Sequence, residues 1–432
     1  MGRRVVLTAV AALCLGLSGR AYSLERFPPP EFTETNHQIP SPTTPDPRRD
    51  LYEYVDAAVL LAALAAASYL VLRKRNRRLV FVLMIACLVY FGFYRQGCIC
   101  SIGAIQNATL TFFDRQYAMP ITATIFLLAP LLFTLFFGRT FCGAVCPLGA
   151  IQDMVVLWPI KVPRWLEGSL RLLAYAYLGA AVLFAATGSA FIICRYDPFV
   201  SFFRLAGSIN ILVFGASLLV IGMFVGRPYC RFLCPYGVIL RQFSRLSRRR
   251  VTIAPDECIQ CRLCEEACPF GAIREPTAPW PDEEYRGGKK RLAVLLLAAP
   301  LIVAAAAWVG SLLWPQASRV HATVRLAERI YQEDQGHATD TTDASNAFRA
   351  TGRPTEELYA EARAIQAQFV LGGWLLGGFV GLVAAGKLLA ASIRRKRTDY
   401  EADRAGCFAC ARCYKYCPRQ RIQDDRKGTV TA

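Results

Sequence analysis

The chain has 432 residues, 54% of them hydrophobic, with mean hydropathy +0.31 and a formal net charge of +18. Several nearly charge-free runs approach the ~20 residues that span a bilayer, so the fold class expected is mainly α, a polytopic membrane protein. Its positive charge reads as a topology signal and a preference for membrane lipid of anionic type, which leaves no nucleic-acid partner.

Arg3 and Arg4 precede the apolar stretch Val5 to Leu17, and Ala21-Tyr22-Ser23 offers a small-x-small cleavage site. Residues 1–23 therefore read as a signal peptide, the alternative being an uncleaved first helix. Segment 24–54, with Pro28 to Pro47, is expected to be exported and poorly ordered.

Residues 55–250 form the expected membrane domain. Spans are placed at 55–72, 79–94, 118–137, 172–193 and 209–226, with two more at 292–314 and 369–386, about seven in all. Lys and Arg collect at Arg73 to Arg78, after Arg241 and at Arg394 to Arg397; alternation of seven spans puts these loops on one side, the cytoplasmic one.

Within this domain Gly138-Arg139-Thr140-Phe141-Cys142-Gly143-Ala144-Val145-Cys146-Pro147-Leu148-Gly149 repeats 88 residues later as Gly226-Arg227-Pro228-Tyr229-Cys230-Arg231-Phe232-Leu233-Cys234-Pro235-Tyr236-Gly237. The halves 79–160 and 172–250 thus read as related modules packed against each other. Cys142, Cys146, Cys230 and Cys234 either converge on a third metal or cluster centre or are reduced structural thiols. Arg139 and Arg227 suit either neutralisation of such a centre or positive-inside placement. On the opposite face Cys98, Cys100 and Cys194 are open to two readings, an exported-side iron-sulfur centre or a disulfide. The segment Cys100-Ser101-Ile102-Gly103-Ala104-Ile105-Gln106-Asn107 echoes Cys146 to Asp153. Cys14 and Cys87 read as plain apolar residues.

The strongest signal follows. Cys258-x2-Cys261-x2-Cys264-x3-Cys268-Pro269 and Cys407-x2-Cys410-x2-Cys413-x3-Cys417-Pro418 are two copies of the run that holds cubane clusters. Three cysteines at intervals of three turn their thiolates toward three irons of one cube, and in two-cluster ferredoxins the fourth cysteine ligates the other cluster. Two 4Fe-4S clusters are expected: cluster A on Cys258, Cys261, Cys264 and Cys417, cluster B on Cys407, Cys410, Cys413 and Cys268. The runs lie 149 residues apart. The two spans between them, 286–314 and 369–391, return the chain to the same face. A small α+β ferredoxin-like cytoplasmic domain assembled from 251–285 and 399–425 is the expectation.

The insert 315–368 is then periplasmic or extracellular. Val320 to Glu333 and Thr355 to Gln368 read as amphipathic helices, the first with Val320, Val324, Ala327 and Tyr331 on one face. It either docks an exported flavoprotein or cytochrome or only packs on the spans. Apart from His37, His321 and His337 are the histidines, and without a CxxCH the chain has no standard haem c attachment.

Paired CxxxCP motifs at span ends, followed by ferredoxin runs, resemble the polytopic membrane ferredoxins of the NosR and NapH type over about residues 79–425. That resemblance implies a bacterial inner-membrane protein passing electrons between a quinol or flavin and redox proteins on either side. It also implies roles for Cys142, Cys146, Cys230 and Cys234 and for the two runs. Two features depart from it: residues 24–54 are too short for an exported flavin domain, so any flavin comes through a partner, and a span pair separates the runs. The chain shows no P-loop, dinucleotide fingerprint or nucleophile and base constellation. The function expected is transfer of electrons between cytoplasmic clusters, fed by a cytoplasmic redox protein, and a quinone or exported partner within an oxidoreductase complex; the rival is a redox sensor or maturation factor.

Overall fold

The computed structural model describes residues 50–97, 100–205, 207–253, 258–277, 282–338, 340–393 and 397–418. The expected signal peptide, residues 24–49, Cys98 and Arg394 to Lys396 lie outside them. Five helices are long and apolar enough to cross a membrane among these residues, and two shorter apolar ones accompany them.

Helix α1, Asp50–Leu72, and α2, Arg77–Cys87, form a hairpin. Asn76 caps α2 by accepting from Arg78 N at 2.9 Å and Leu79 N at 3.3 Å. A π-helical turn, Leu88–Tyr94, extends α2 into an 18-residue span. At the far end Arg95 pairs with the buried Asp56 at 2.8 Å, and Tyr90 Oη donates to the same carboxylate at 2.7 Å, which fixes the hairpin as antiparallel.

Helix α3, Ala104–Phe113, precedes α4, Ile121–Phe137, which leads through a π-helical turn, Phe141–Val145, into α5, Pro147–Met154. Helix α6, Arg164–Ala186, departs from the expected span 172–193: it starts earlier and ends at Gly188, whose φ of +65° closes it. The apolar Phe191-Ile192-Ile193 belongs to a separate turn, α7, Ile192–Arg195, so Cys194 does not end a span. Then come α8, Val200–Arg204, α9, Ile209–Phe224, α10, Pro228–Phe232, and α11, Pro235–Arg245.

Helix α12, Leu263–Glu266, and strand β1, Ile273–Arg274, precede the long α13, Asp282–Leu312. After α14, Trp314–Ser318, α15, Ala322–Asp334, and α16, Asp343–Ala350, the 38-residue α17, Thr355–Ser392, runs back without a break. The expected amphipathic helix 355–368 and the expected span from 369 are therefore one continuous helix. Glycines explain how α13 and α17 pack. A Cβ on Gly310 would meet Gly377 Cα at 2.7 Å, and one on Gly381 would meet the Ala306 Cβ at 2.7 Å, so the stripe Gly373, Gly377, Gly381 lets the backbones touch. The insert has its own small core of Val324, Ala327, Ile330, Phe348, Leu358 and Ala362. Tyr331, counted on one face with Val324 and Ala327, is 55% exposed, while Ile330 joins those two in the core.

Strand β2, Glu401–Ala402, and helix α18, Arg412–Tyr416, complete the chain. The β strands pair antiparallel, Ile273 with Ala402 and Arg274 with Glu401, and so join the two ferredoxin segments across the insert. The described residues from Val55 onward are one compact unit. One continuous buried cluster runs from Leu60 and Met84 through Cys142 and Cys146 to Phe270, Phe408 and Tyr414.

Candidate iron-sulfur sites

Each cysteine run is built on the same backbone. Gln260 and Arg262 have φ of +51° and +63°, and Ala409 and Ala411 have +52° and +61°. These residues stand two and four places after the first cysteine of their runs. Left-handed conformation costs about 1–2 kcal/mol per non-glycine residue, and two such positions in each loop mark a shape kept for function. The loop turns its amides inward, as Ala409 N shows by donating to Cys407 Sγ at 3.4 Å. One-turn helices α12 and α18 then carry Cys264 and Cys413 and pack together.

The electrostatic neighbours cross between runs. Burial pushes the Cys264 thiol up to about 11, and the charges of Cys261, Cys258 and Cys417 act in the same direction. Burial likewise pushes Cys407 up to about 12, with Cys410 and Cys268 as its cysteine neighbours. Cys413 is raised well above its ordinary value by burial and by Cys407, Cys410, Cys268 and, last, Cys264. The structure thus brings Cys417 to the first run and Cys268 to the second. Thiols this desolvated become good ligands only where a metal offsets the thiolate charge.

The four CxxxCP cysteines also converge. Cys230, Cys146 and Cys142 all act on Cys234, and Cys230 and Cys142 act on Cys146. Gly237 N donates to Cys234 Sγ at 3.3 Å, Gln152 Nε2 to Cys230 Sγ at 3.2 Å, and Arg139 Nη2 approaches Cys142 Sγ at 3.6 Å. The repeats meet as a pseudo-two-fold: a Cβ on Gly149 would lie 3.2 Å from Arg227 Nη1, and one on Gly237 would lie 3.5 Å from Arg139 Nη2. Each repeat's arginine covers the other's glycine.

Among the described residues no three His, Cys, Asp or Glu side chains converge on a single ion. A cubane spreads its thiolates over separate irons, so wider spacing suits it better than a mononuclear site. A buried crevice beside the tetrad supplies the second test of fit. Arg139, Arg171, Arg231 and Arg241 line it together with Cys230 and Cys234. Arg139 Nε and Arg231 Nη1 are buried with no hydrogen-bond partner. Orphaned guanidinium N–H groups beside four thiols fit an anionic cluster.

Membrane and ferredoxin parts interlock. A Cβ on Gly143 would lie 2.7 Å from the Ala409 carbonyl oxygen, and one on Gly226 3.1 Å from that of Pro269. The Phe270 and Phe408 rings, one from each run, sit 4.9 Å apart, with Arg139 4.3 Å from the Phe408 centroid and Arg227 5.5 Å from that of Phe270. Beneath them Asp153 is fully buried and receives Arg77 at 2.6 Å, Arg412 at 3.1 Å and Arg227 at 3.3 Å. Burial would raise its carboxyl, but Arg227, Arg412 and Arg77 together hold it well below the usual carboxylate range. Arg77 also donates to the Cys410 carbonyl at 3.0 Å. Sequence reasoning passed over Gly143, Gln152, Asp153 and the phenylalanine pair. The repeat made Gln152 findable, since Gln106 stands in the echoing segment.

Cys100 and Cys194 lie together: a Cβ on Gly103 would meet Cys194 Sγ at 3.0 Å and the Cys100 carbonyl at 3.8 Å. Cys100 is also within electrostatic reach of Cys146, and both line one small cavity with Phe91 and Phe141. Their separation is less than opposite faces would suggest, because the turn Phe141–Val145 packs along α2, and α5 along Leu88–Tyr94, so the CxxxCP loop dips between the spans. Cys87 is buried in α2. A larger recess of about 1030 Å³ opens between α1 and α4, with Leu72 and Phe137 on its walls and Arg73, Arg248, Arg249 and Arg404 at its rim. An adjoining crevice shares Phe137 and Arg404 and reaches Cys407.

A family model described as a 4Fe-4S binding domain matches residues 119–164 and again 208–254, one match over each CxxxCP copy. A second model of the same description matches 251–274, over the first run. NirI of Paracoccus denitrificans is 33% identical over 218 residues, 46% of this chain and 31% of that protein. The regulatory protein NosR of Pseudomonas aeruginosa is 29% identical over 243 residues, 50% of this chain and 32% of that one. The putative electron transport protein YccM of Escherichia coli is 28% identical over 164 residues, 34% and 46%. The matched part spans about a third of NirI and NosR and under half of YccM. No solved structure matches.

Proposed function

We propose that this chain, which belongs to the NosR/NapH type of membrane ferredoxin, is an iron-sulfur conduit that carries electrons across the bilayer. One observation carries this reading: the cysteines stand in series. Cys258, Cys261, Cys264 and Cys417 adjoin Cys407, Cys410, Cys413 and Cys268 through the reach of Cys264 to Cys413. The second set meets the tetrad at Gly143, and the tetrad reaches Cys100 from Cys146. A hydrocarbon core of ~30 Å is too thick for one efficient hop, so intermediate centres are what a conduit needs. The first two sets would hold 4Fe-4S clusters A and B, and the tetrad a third centre; when bound, these supply one-electron storage. The chain's own part is to fix spacing, exclude water and surround the clusters with guanidinium charge.

Five long helices and two shorter apolar ones give the seven crossings of this proposal. Arg73, Arg248, Arg249 and Arg404 then face the cytoplasm with the ferredoxin segments, and the insert faces outward. The recess they rim, walled by Leu72 and Phe137 and next to Cys407, suits a quinone head or an anionic lipid. The insert would dock an exported flavoprotein or cytochrome.

The test is anaerobic iron and acid-labile sulfide per chain, with electron paramagnetic resonance after dithionite, on wild type and on the Cys230→Ala, Cys234→Ala double variant. About twelve irons falling to about eight supports three cluster centres. About eight in both would leave the tetrad structural and remove the conduit's middle step. A sensor is the second reading, favoured by the description of the NosR relative as a regulatory protein. Stopped-flow reoxidation by a soluble quinone separates the two, because a conduit must exchange on the turnover time of its partner.

A further inference from the structure

The tetrad has a second, altered copy in the same fold. Cys146 is followed six residues on by Gln152, and Cys100 by Gln106. Gln152 Oε1 accepts from Tyr229 N at 3.0 Å, the residue before Cys230; Gln106 Oε1 accepts from Ile193 N at 3.0 Å, the residue before Cys194. Each glutamine therefore clamps the strand of chain that delivers the next cysteine. The parallel continues in sequence, with Cys230-Arg231-Phe232-Leu233-Cys234-Pro235 set against Cys194-Arg195-Tyr196-Asp197-Pro198, one residue shorter. Where the tetrad has Cys234 before proline, the copy has Asp197 before proline.

We infer that Asp197 is a metal ligand, the carboxylate counterpart of Cys234 in an iron-sulfur centre that it forms with Cys100 and Cys194. Its surroundings are those of a ligand. Asp197 is 3% exposed, and its Oδ1 accepts from Phe199 N at 2.9 Å, as Cys234 Sγ accepts from Gly237 N at 3.3 Å. Among the described residues no basic side chain comes within the 4.0 Å ion-pair distance of it. Arg204 acts on it only from farther off, while Asp197 and Cys194 are the charged groups that act on Cys100. Phe199 N and Val200 N donate to the buried carboxylate but no cation among the described residues neutralises it, and the Cys100 thiol within its electrostatic reach offers a cation site rather than a salt bridge. The donors do not close on a single ion, which favours a cluster over a mononuclear metal. Cys194 is exposed, so the centre would lie at the rim, where an electron can leave for a partner. This deepens the conduit reading and rests on it for the centre's role.

A carboxylate is a harder and weaker donor to iron than a thiolate, so one iron of the centre should be labile. The experiment compares anaerobically purified full-length wild type with Asp197→Ala and Asp197→Cys for iron, sulfide, paramagnetic spectrum and potentiometric titration. Asp197→Ala should lose between about one and four irons per chain, with a three-iron signal if the cube survives without its fourth corner. Asp197→Cys should keep the iron and lower that centre's potential, which also shows that the site folds. Unchanged iron, spectrum and potentials in both variants overturns the assignment, as does zinc in place of iron. Wild type with about twelve irons, all lost or kept independently of residue 197, removes this centre and leaves the three-cluster reading standing. Wild type without iron removes both.

Discussion

Gly143 and Ala409 meet backbone to backbone, so closely that a Cβ on the glycine would lie 2.7 Å from the alanine carbonyl oxygen. This contact joins the first CxxxCP loop to the loop of the second cysteine run, and no side chain fits in it. Gly143→Ala should push the loops apart while leaving all ligands in place. Stability should fall by about 1–3 kcal/mol, the usual cost of overpacking. Iron should stay near wild type, and the magnetic interaction between the proposed cluster B and the proposed tetrad centre should weaken. An unchanged interaction would show that electrons do not pass at this point.

The proposed crossed ligation makes a prediction that single variants cannot. With Cys417 among the first run's thiols and Cys268 among the second's, Cys258→Ser and Cys417→Ser damage the same cluster. Their combination should lose about four irons, and the combination of Cys258→Ser with Cys268→Ser about eight. The reverse result would mean that each run keeps its own fourth cysteine.

The two four-cysteine runs are legible because spacing alone shows them, and the helices are legible because apolar runs mark them. What stayed hidden lay in contacts between repeats. Asp153 looked like an ordinary helix residue, yet three arginines from distant segments meet on it. The end of α6 was misplaced because Phe191 to Ile193 are as apolar as the helix, and only Gly188 breaks it. Residues 355–392 read as two elements divided at 368 because polarity changes there, although helical geometry does not. Tyr331 was counted on one face with Val324 and Ala327 by spacing, but the core those two join includes Ile330 instead.

The hairpin of α13 and α17 brings the second run back to the first. Gly377 faces Ala307 Cα, where a Cβ would come within 2.9 Å. Gly377→Val should separate the helices, since packing of small residues is what holds spans together in lipid. The expected result is a lower melting temperature and loss of roughly four irons or more, because both proposed clusters would draw ligands from each side of the insert. Full iron in a well-folded Gly377→Val protein would show that β1 and β2 suffice to assemble the domain.

Asp153 should dominate the acid response of the junction. Its carboxyl is held below the ordinary range in the folded protein, so the stability it contributes is present above the unfolded value of about 4 and is lost as pH falls below it. Asp153→Asn leaves Arg77, Arg227 and Arg412 facing one another around a neutral group. Removing one partner of a buried ionic network costs about 3–5 kcal/mol, so the variant should melt well below wild type at pH 7. Its melting temperature should also lose the wild type's fall between about pH 4 and pH 2, since the titrating group is gone. Thermal unfolding in detergent across that range, followed by intrinsic fluorescence, checks both. Equal melting temperatures at pH 7 would mean that the three arginines are held by other contacts, such as the Arg77 bond to the Cys410 carbonyl, and that Asp153 is not their anchor.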